Sequence, residues 1–160
     1  MRSDIQKRAA YSALLTFFKS EFEMVDRNLA GLIDLIKLCP NTCEGHELRA
    51  EASYIHDFYN SAENLFRQVA EQLNGGIPRG DAWHKLLLLE MKNAIPGERE
   101  AVISENLFGK LEQMLRFRHL VRNNYGVLLD PLKTRQVSQL VLETRQQLQD
   151  EFLKFLETIN

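Results

Sequence analysis

The chain has 160 residues, of which 44% are hydrophobic and 26% charged, with only 8 Gly and 4 Pro. This composition is typical of a folded, helix-permissive protein and excludes a disordered chain. The 20 Lys and Arg residues nearly balance the 22 Asp and Glu residues, so the formal net charge is -2. We therefore expect no attraction of the whole surface for nucleic acid or for an anionic membrane, and any polyanion site must be local.

The hydrophobic residues are not arranged as a membrane segment. No apolar run approaches the roughly 18 residues that a span needs, and "LLTFF" near the N-terminus is interrupted at once by Lys19 and Glu21. We expect a soluble, cytoplasmic protein with a single domain over residues 1–160 and no membrane contact.

The sequence contains little that would bind a metal ion. The only cysteines, Cys39 and Cys43, are predicted to be free and reduced, and no fourth ligand at a recognisable spacing joins them and His46. The Glu-x-x-His pairs of di-iron bundles are absent as well. We predict neither a metal nor a cofactor.

The first half of the chain predicts two long helices. Ser3 can cap the first, which should end near Cys39-Pro40 because a residue before proline disfavours the α region. The second is predicted over Leu48 to Leu73 and ends at the loop "NGGIPRG". Apolar residues at helical spacing give the inner face of the first helix as Leu14, Leu15, Phe18, Phe22, Val25, Leu29, Leu32, Ile33 and Ile36. On the second helix they are Ala52, Ile55, Phe58, Tyr59, Ala62, Leu65, Phe66 and Val69.

The second half predicts a short helix and two long ones. Asp81 is expected to cap the short helix "AWHKLLLLEMKNAI", which Pro96-Gly97 closes. A fourth helix is predicted from Ser104 to about Leu129, and Pro131 is suited to the first position of a fifth. The inner face of the fifth carries Val137, Leu140, Val141, Leu148, Phe152, Phe155 and Ile159. Since no stretch has the alternation of a strand, we predict an all-α fold, an antiparallel bundle of four long helices plus one short helix.

The stretch "RFRHLVRNNYG", residues 116–126, departs from this simple pattern. At about 100° per residue, Arg118 and Arg122 point in the direction of the apolar stripe of the fourth helix. Burying an unpaired guanidinium costs several kcal/mol, so the arginines need partners or water. Two interpretations stay open. In the first, the arginines lie where the helix leaves the core, or they pair with acids on a facing helix. In the second, they line a cleft or a subunit boundary and bind an anion. The acids that we consider as partners are Glu51, Asp57 and Glu63.

Local composition favours the anion-binding interpretation. Arg116, Arg118, His119 and Arg122 fall within seven residues that contain no acid. The planar guanidinium fork matches a phosphate bidentately and stays charged at any working pH. Tyr125 adds a ring for stacking and a phenol that can be modified. The stretch therefore predicts a phosphate or RNA contact.

The short third helix carries two aromatic residues near the predicted position of this cleft. Trp83 and His84 could border it, but aromatic residues beside a leucine run are more often buried in a core. We interpret both as core residues.

The same stretch resembles the signature helix of HEPN domains, specifically the HepT-like branch. In that branch the motif reads Arg, a polar residue, three more residues, His, any residue and Tyr, to which "RHLVRNNYG" is similar. The stretches "FYNSAENLF", "DAWHKLLLLEM" and "AVIS" also resemble that branch. By motif the resemblance covers about residues 50 to 130, and by helix pattern loosely the whole chain.

The resemblance implies an all-helical homodimer that acts as a metal-independent RNA endonuclease, the toxin of a toxin–antitoxin pair. It implies a composite site, made by the arginine and histidine of two subunits. It also implies a minimal nucleotidyltransferase antitoxin as partner, which silences the toxin by transferring AMP to the motif tyrosine. Matched to the motif, the arginine is Arg118, the polar residue is His119 and the modified tyrosine is Tyr125.

The sequence departs from the motif at Asn123, which stands where the family has histidine. An amide can hydrogen-bond a phosphate but cannot carry a proton, and loss of a positioned acid or base costs about 10²–10⁴ in rate. His119 is then the remaining residue for proton transfer, with Arg118 clamping the phosphate and Arg122 supporting it. The sequence predicts a HepT-like endoribonuclease impaired by Asn123. The alternative is a non-catalytic HEPN module that binds RNA, a nucleotide or a nucleotidyltransferase.

Overall fold

The computed structural model describes residues 3–123 and 128–160, apart from the side chain of Asn123. Within these residues the structure is helical and contains no strand, which confirms the predicted all-α fold. Its elements are α1 (Asp4–Leu38), α2 (Gly45–Val69), a π-helical turn (Ala70–Asn74), α3 (Trp83–Lys92), α4 (Glu105–Asn123) and α5 (Pro131–Glu157). None of the helices in the described part is both long enough and apolar enough to cross a membrane.

Helix α1 begins and ends where the sequence predicts. The Ser3 hydroxyl accepts a hydrogen bond from the Gln6 backbone N–H at 3.3 Å, and the Gln6 side chain accepts one from the Ser3 N–H at 3.0 Å. This reciprocal pair forms a capping box. Most of the predicted inner face is buried or half-buried, but Ile33 is 41% exposed, so its assignment to that face is wrong. Ile33 lies about 100° around the helix from the fully buried Leu32, at the edge of the stripe.

Helix α2 is the central element and packs against all the other helices. Its eight predicted inner residues are all buried. It begins at Gly45, three residues before the predicted start, and its α-helical part ends at Val69. The π-helical turn then leads to Gly75, whose φ of 82° places it in the left-handed region that glycine adopts without strain.

Helix α3 is shorter than predicted. Its N-cap is Ala82, with no side-chain hydrogen bond, so the prediction that Asp81 caps it is wrong. The helix ends at Lys92, and the side chain of Arg99 binds the backbone around this end. The buried Arg99 side chain donates to the backbone carbonyls of Glu90 and Asn93, each at 2.9 Å.

Helix α4 is capped as predicted, since the Leu107 N–H donates to the Ser104 hydroxyl at 3.1 Å. The described part of α4 reaches Asn123, and residues 124–127 lie outside the described residues. Residues 128–130 are not helical, so the prediction that the helix includes Leu129 is wrong.

Helix α5 begins at Pro131 as predicted, and the Asp130 carboxylate caps it by accepting from the Lys133 N–H at 3.1 Å. Its predicted inner residues are buried, except that Leu140 is half-buried. The rings of Phe18 and Phe152 stack with centroids 5.4 Å apart, so α5 packs against α1 as well as α2. The resulting core fixes the position of α4, which carries the basic stretch.

Candidate functional site

The apolar stripe of α4 leaves the core within the basic stretch. Leu107 and Leu111 are fully buried, and Arg118, on the same side of the helix, is only 7% exposed. One turn later, Arg122 is exposed to solvent. The two arginines therefore occupy different environments, although the helical spacing gives them the same direction.

Arg118 forms a buried ion pair with α2. Its Nη1 donates to Glu63 Oε1 at 3.3 Å, and the two side chains are 8% and 7% exposed. The guanidinium also lies 5.6 Å from the centre of the Tyr59 ring, within the range of a cation–π contact. Glu63 is one of the three acids considered from the sequence, so ion pairing within the chain is confirmed for Arg118. Its buried Nε has no hydrogen-bond partner among the described residues.

Tyr59 contributes packing rather than proton transfer. Its ring is buried, and burial raises the pKa of the phenol far above its ordinary value. The negative charge of Glu63 raises that pKa further, and the positive charge of Arg118 opposes it. The phenol therefore stays neutral at any working pH.

The other oxygen of the Glu63 carboxylate binds a residue of α3. His84 Nδ1 lies 2.7 Å from Glu63 Oε2, and the imidazole stacks on the Trp83 ring with centroids 3.7 Å apart. The carboxylate thus joins α3 to α4 through α2. Trp83 is half-buried against the core as expected, but the His84 side chain is 27% exposed and lines a surface pocket, so its interpretation as a core residue is wrong.

Sequence reasoning missed the role of Glu63 in placing His84. The two residues are 21 positions apart on different helices, and no local spacing connects them. The sequence did contain one signal, an acidic residue on a helix face that is predicted to be buried. Glu63 lies four positions after Tyr59 and three before Phe66, on the predicted inner face of α2, where a carboxylate requires partners.

The pocket beside this network has a volume of about 580 Å³. Its α4 wall follows helical spacing, because Leu115, Arg118, His119 and Arg122 occupy positions i, i+3, i+4 and i+7. The full lining is Asp81, His84, Leu115, Arg118, His119, Val121 and Arg122. Arg122 has no ion pair with any residue in the described part of the chain. The pocket therefore combines one paired guanidinium, one free guanidinium and two imidazoles.

Arg116 does not belong to this pocket. Its side chain is 72% exposed and pairs with Glu112 on the same helix, at 3.1 Å. A separation of two positions along an α-helix corresponds to about 200° of rotation, so Arg116 and Arg118 point away from each other. The basic cluster seen in the sequence is divided between two faces of α4.

Two residues of the predicted site cannot be placed. Tyr125 lies outside the described residues, and so does the side chain of Asn123. The roles expected for them stay predictions.

The described residues contain no group of three or more His, Cys, Asp and Glu side chains arranged to hold a metal ion. Cys39 and Cys43 are free thiols, and Cys43 is buried. Cys43 Sγ lies 3.6 Å from Arg135 Nη2 and so belongs to a structural network at the start of α5.

Comparison with known proteins identifies the family of the chain. The model of one protein family, described as HepT-like protein, matches residues 50–159 and so includes the pocket. No curated protein and no solved structure matches the chain. The match covers more than half of the sequence and confirms the resemblance derived from the signature helix. The chain therefore belongs to the HepT-like family of HEPN-type helical proteins.

Proposed function

We propose that the protein is a HepT-like toxin that binds and cuts RNA at the pocket between α3 and α4. The observation that carries the proposal is the lining of this pocket, where Arg118, His119 and Arg122 of α4 meet His84 of α3. A local basic pocket also agrees with a net charge of -2, which gives the rest of the surface no general affinity for RNA.

Arg122 is assigned the main phosphate contact. It is exposed and free of ion pairs among the described residues, so both edges of its guanidinium are open to a bidentate phosphate. Arg118 is assigned the supporting contact, because Glu63 already holds one of its nitrogens. This order reverses the roles expected from the sequence. The proposal does not use Arg116, which lies on another face.

His119 is assigned a proton-transfer role. Cleavage of this kind requires a 2′-hydroxyl to attack the adjacent phosphorus, while one group removes its proton and another protonates the leaving 5′ oxygen. Histidine suits both tasks because its ordinary pKa lies near working pH. His119 is exposed and lines the same pocket as the two arginines, which supports its role at the phosphate that they are proposed to bind.

The second copy of the chain is proposed to dock around the end of α4. Leu120 and Val121 are 45% and 36% exposed there, beside Arg122. A homodimer would cover these apolar side chains and bring the pockets of two subunits together into a composite site. Sedimentation of the unaltered protein should give a dimer, and Leu120→Asp should give a monomer. A monomeric unaltered protein would exclude this arrangement.

Tyr125 is proposed as the target of the antitoxin. Transfer of AMP to its phenol by a minimal nucleotidyltransferase would place a negative charge close in sequence to Arg122 and oppose RNA binding. After co-expression with such an enzyme, mass spectrometry should detect one AMP on the unaltered protein and none on Tyr125→Phe. An unchanged mass of the unaltered protein would count against this assignment.

The activity can be tested with purified full-length protein and total RNA. We expect fragments that end in a 2′,3′-cyclic phosphate, and we expect Arg122→Ala to lower RNA affinity by about 10-fold or more, since a charge-assisted hydrogen bond contributes about 1.5–3 kcal/mol. Arg27→Ala is the matched control, because Arg27 is an exposed arginine on α1 that pairs with no acid but Glu23 among the residues that the structure describes. No cleavage by the unaltered protein would contradict the endonuclease proposal.

Asn123 favours a second function, a HEPN module that binds RNA without cutting it. The motif histidine is absent from this position, and an amide cannot transfer a proton. Asn123→His separates the two functions. Cleavage by Asn123→His but not by the unaltered protein would establish the binding module, whereas cleavage by the unaltered protein that Arg118→Ala abolishes would exclude it.

A further inference from the structure

We propose that His84, oriented by Glu63, is the proton acceptor of the RNA cleavage reaction and takes over the task that the motif assigns to the position of Asn123. The inference rests on the proposed function, since it names a residue for the reaction at that same pocket. It is drawn from the contacts of α2, α3 and α4.

The hydrogen bond to Glu63 sets the tautomer of His84. A carboxylate accepts hydrogen bonds, and here Oε1 accepts from Arg118 at 3.3 Å while Oε2 lies 2.7 Å from His84 Nδ1. The neutral imidazole therefore carries its proton on Nδ1. Its Nε2 is left as an acceptor, with no hydrogen-bond partner among the described residues.

The position of the ring is fixed from several sides. Glu63 is 5% exposed and cannot follow His84 into solvent, and the stacked Trp83 ring restricts rotation of the imidazole. The side chain still lines the pocket that contains Arg118 and Arg122. An imidazole held by a carboxylate at one nitrogen and open at the other has the arrangement of a general base.

Charged groups from three parts of the chain surround His84. Glu63 on α2 is in direct contact with it, and Asp81, just before α3, lines the same pocket. Arg118, His119 and Arg122 on α4 line the pocket as well, where Glu63 pairs with Arg118 and bound RNA would supply a phosphate opposite Arg122. The guanidinium of Arg67 lies 5.8 Å from the centre of the Trp83 ring.

The reaction can be written with His84 and His119 alone. Nε2 of His84 takes the proton of the 2′-hydroxyl while the 2′ oxygen forms a bond to the adjacent phosphorus. The bond from phosphorus to the 5′ oxygen breaks, and protonated His119 gives its proton to that oxygen. The products are a 2′,3′-cyclic phosphate and a 5′-hydroxyl, and neither an oxidant nor a reductant is involved.

The first experiment measures single-turnover cleavage of an RNA oligonucleotide by His84→Gln. Its matched control is His46→Gln, because His46 is exposed on the first turn of α2 and lies far from the pocket. We expect His84→Gln to lower the rate by about 10²–10⁴ without loss of RNA affinity, and we expect the control to match the unaltered protein. If His84→Gln cleaves as fast as the unaltered protein, the inference is overturned and the proposed function survives. If the unaltered protein does not cleave, both are overturned.

Chemical rescue separates a proton-transfer role from a structural one. His84→Ala leaves the pair between Glu63 and Arg118 in place and opens space for a free imidazole. Added imidazole should restore cleavage by His84→Ala but should not restore cleavage by Arg122→Ala. Loss of activity that imidazole does not restore would assign His84 a structural role and would overturn the inference.

Glu63→Gln tests the positioning role of the carboxylate. The amide oxygen would face Arg118, which can only donate, so the amide NH₂ would face His84 Nδ1 and force the ring proton onto Nε2. We expect slower cleavage with unchanged RNA affinity, and ¹⁵N NMR should show the proton of His84 moving from Nδ1 to Nε2. A His84 that is protonated on Nε2 already in the unaltered protein would contradict the inference.

Discussion

Glu63 is 5% exposed and holds two partners from two different helices, Arg118 and His84. A buried carboxylate and a buried guanidinium each carry a large desolvation cost, which their mutual attraction and hydrogen bonds offset. The consequence is that neither can be removed without leaving the other unpaired. The ion pair therefore gives the pocket a fixed geometry rather than a large net stability.

The first prediction concerns this pair at the level of single residues. Glu63→Ala should lower the free energy of unfolding by about 3–5 kcal/mol, because it leaves the charge of Arg118 buried and unpaired. Urea denaturation would measure the loss. Glu23→Ala, which removes an exposed i,i+4 partner of Arg27, is the control and should cost about 0.5 kcal/mol or less. A cost below about 1 kcal/mol for Glu63→Ala would show that water reaches Arg118.

The second prediction concerns Cys43. Burial raises the pKa of the Cys43 thiol to about 12, and contacts with Cys39 and Glu51 add to the shift. The thiolate is the reactive form, and it forms only as the pH approaches that raised pKa. In native protein at about pH 9, iodoacetamide should therefore label Cys43 far more slowly than an ordinary exposed thiol, whereas unfolding should restore the ordinary rate. Labelling of native Cys43 at the rate of an ordinary thiol at about pH 9 would contradict the prediction.

At the level of elements, the start of α5 is tied to the connection between α1 and α2 by Arg135. Its Nε donates to Glu51 Oε1 at 2.7 Å, and its Nη atoms donate to the backbone carbonyls of Pro40 and Asn41 at 3.0 Å and of Cys39 at 2.8 Å. The hydrogen bond to Glu51 raises the pKa of the guanidinium, while burial opposes that shift. One side chain thus satisfies several backbone acceptors at the end of α1.

The third prediction follows from this clamp. Arg135→Met should lower the free energy of unfolding by about 3–5 kcal/mol, since it leaves Glu51 buried without its partner and also orphans three carbonyl groups. Thermal or urea unfolding would measure it, and Cys43 should become reactive toward iodoacetamide in the same variant. A stable Arg135→Met protein with a protected Cys43 would contradict this account of the clamp.

Local sequence signals account for the elements but not for the site. Caps such as Ser3 and Ser104 and the proline at 131 give the helix starts, because each acts within one turn of the chain. Apolar spacing gives the buried faces for the same reason. The contact of Glu63 with His84 joins residues 21 positions apart, and that of Glu51 with Arg135 joins residues 84 positions apart. Contacts between residues so far apart in the sequence depend on how the helices pack, and a short stretch of sequence does not specify that packing.

The basic stretch of α4 illustrates the same limit. A seven-residue window groups Arg116 with Arg118 and Arg122, but helix geometry places Arg116 on another face, where it pairs with Glu112. The periodicity correctly aligned Arg118 with Arg122. It did not indicate where along α4 the core ends, because that boundary depends on how far α2 covers the helix.

At the level of the whole molecule, the charges are nearly balanced, so the affinity for RNA should depend on few contacts. Each phosphate that a protein neutralises on a single strand contributes about -0.7 to the slope of log affinity against log salt concentration. The fourth prediction is a slope of about -0.7 for the unaltered protein, from the one phosphate that Arg122 and Arg118 bind, and a slope closer to zero for Arg122→Ala. Titrations at several salt concentrations measure it, with Arg27→Ala as the control. A slope steeper than about -4 would indicate a broad basic surface instead of one pocket.

The most direct test of the account is to observe the pocket while RNA binds. Histidine NMR resonances can be followed as an uncleavable 2′-O-methyl RNA oligonucleotide is added to the full-length protein. His46 serves as an internal control, because it lies 17 positions before Glu63 on α2, about 25 Å at 1.5 Å per residue. We predict that the resonances of His84 and His119 shift together at saturating RNA while those of His46 stay unchanged. RNA binding that leaves His84 and His119 unperturbed would contradict the central claim that this pocket is the RNA site.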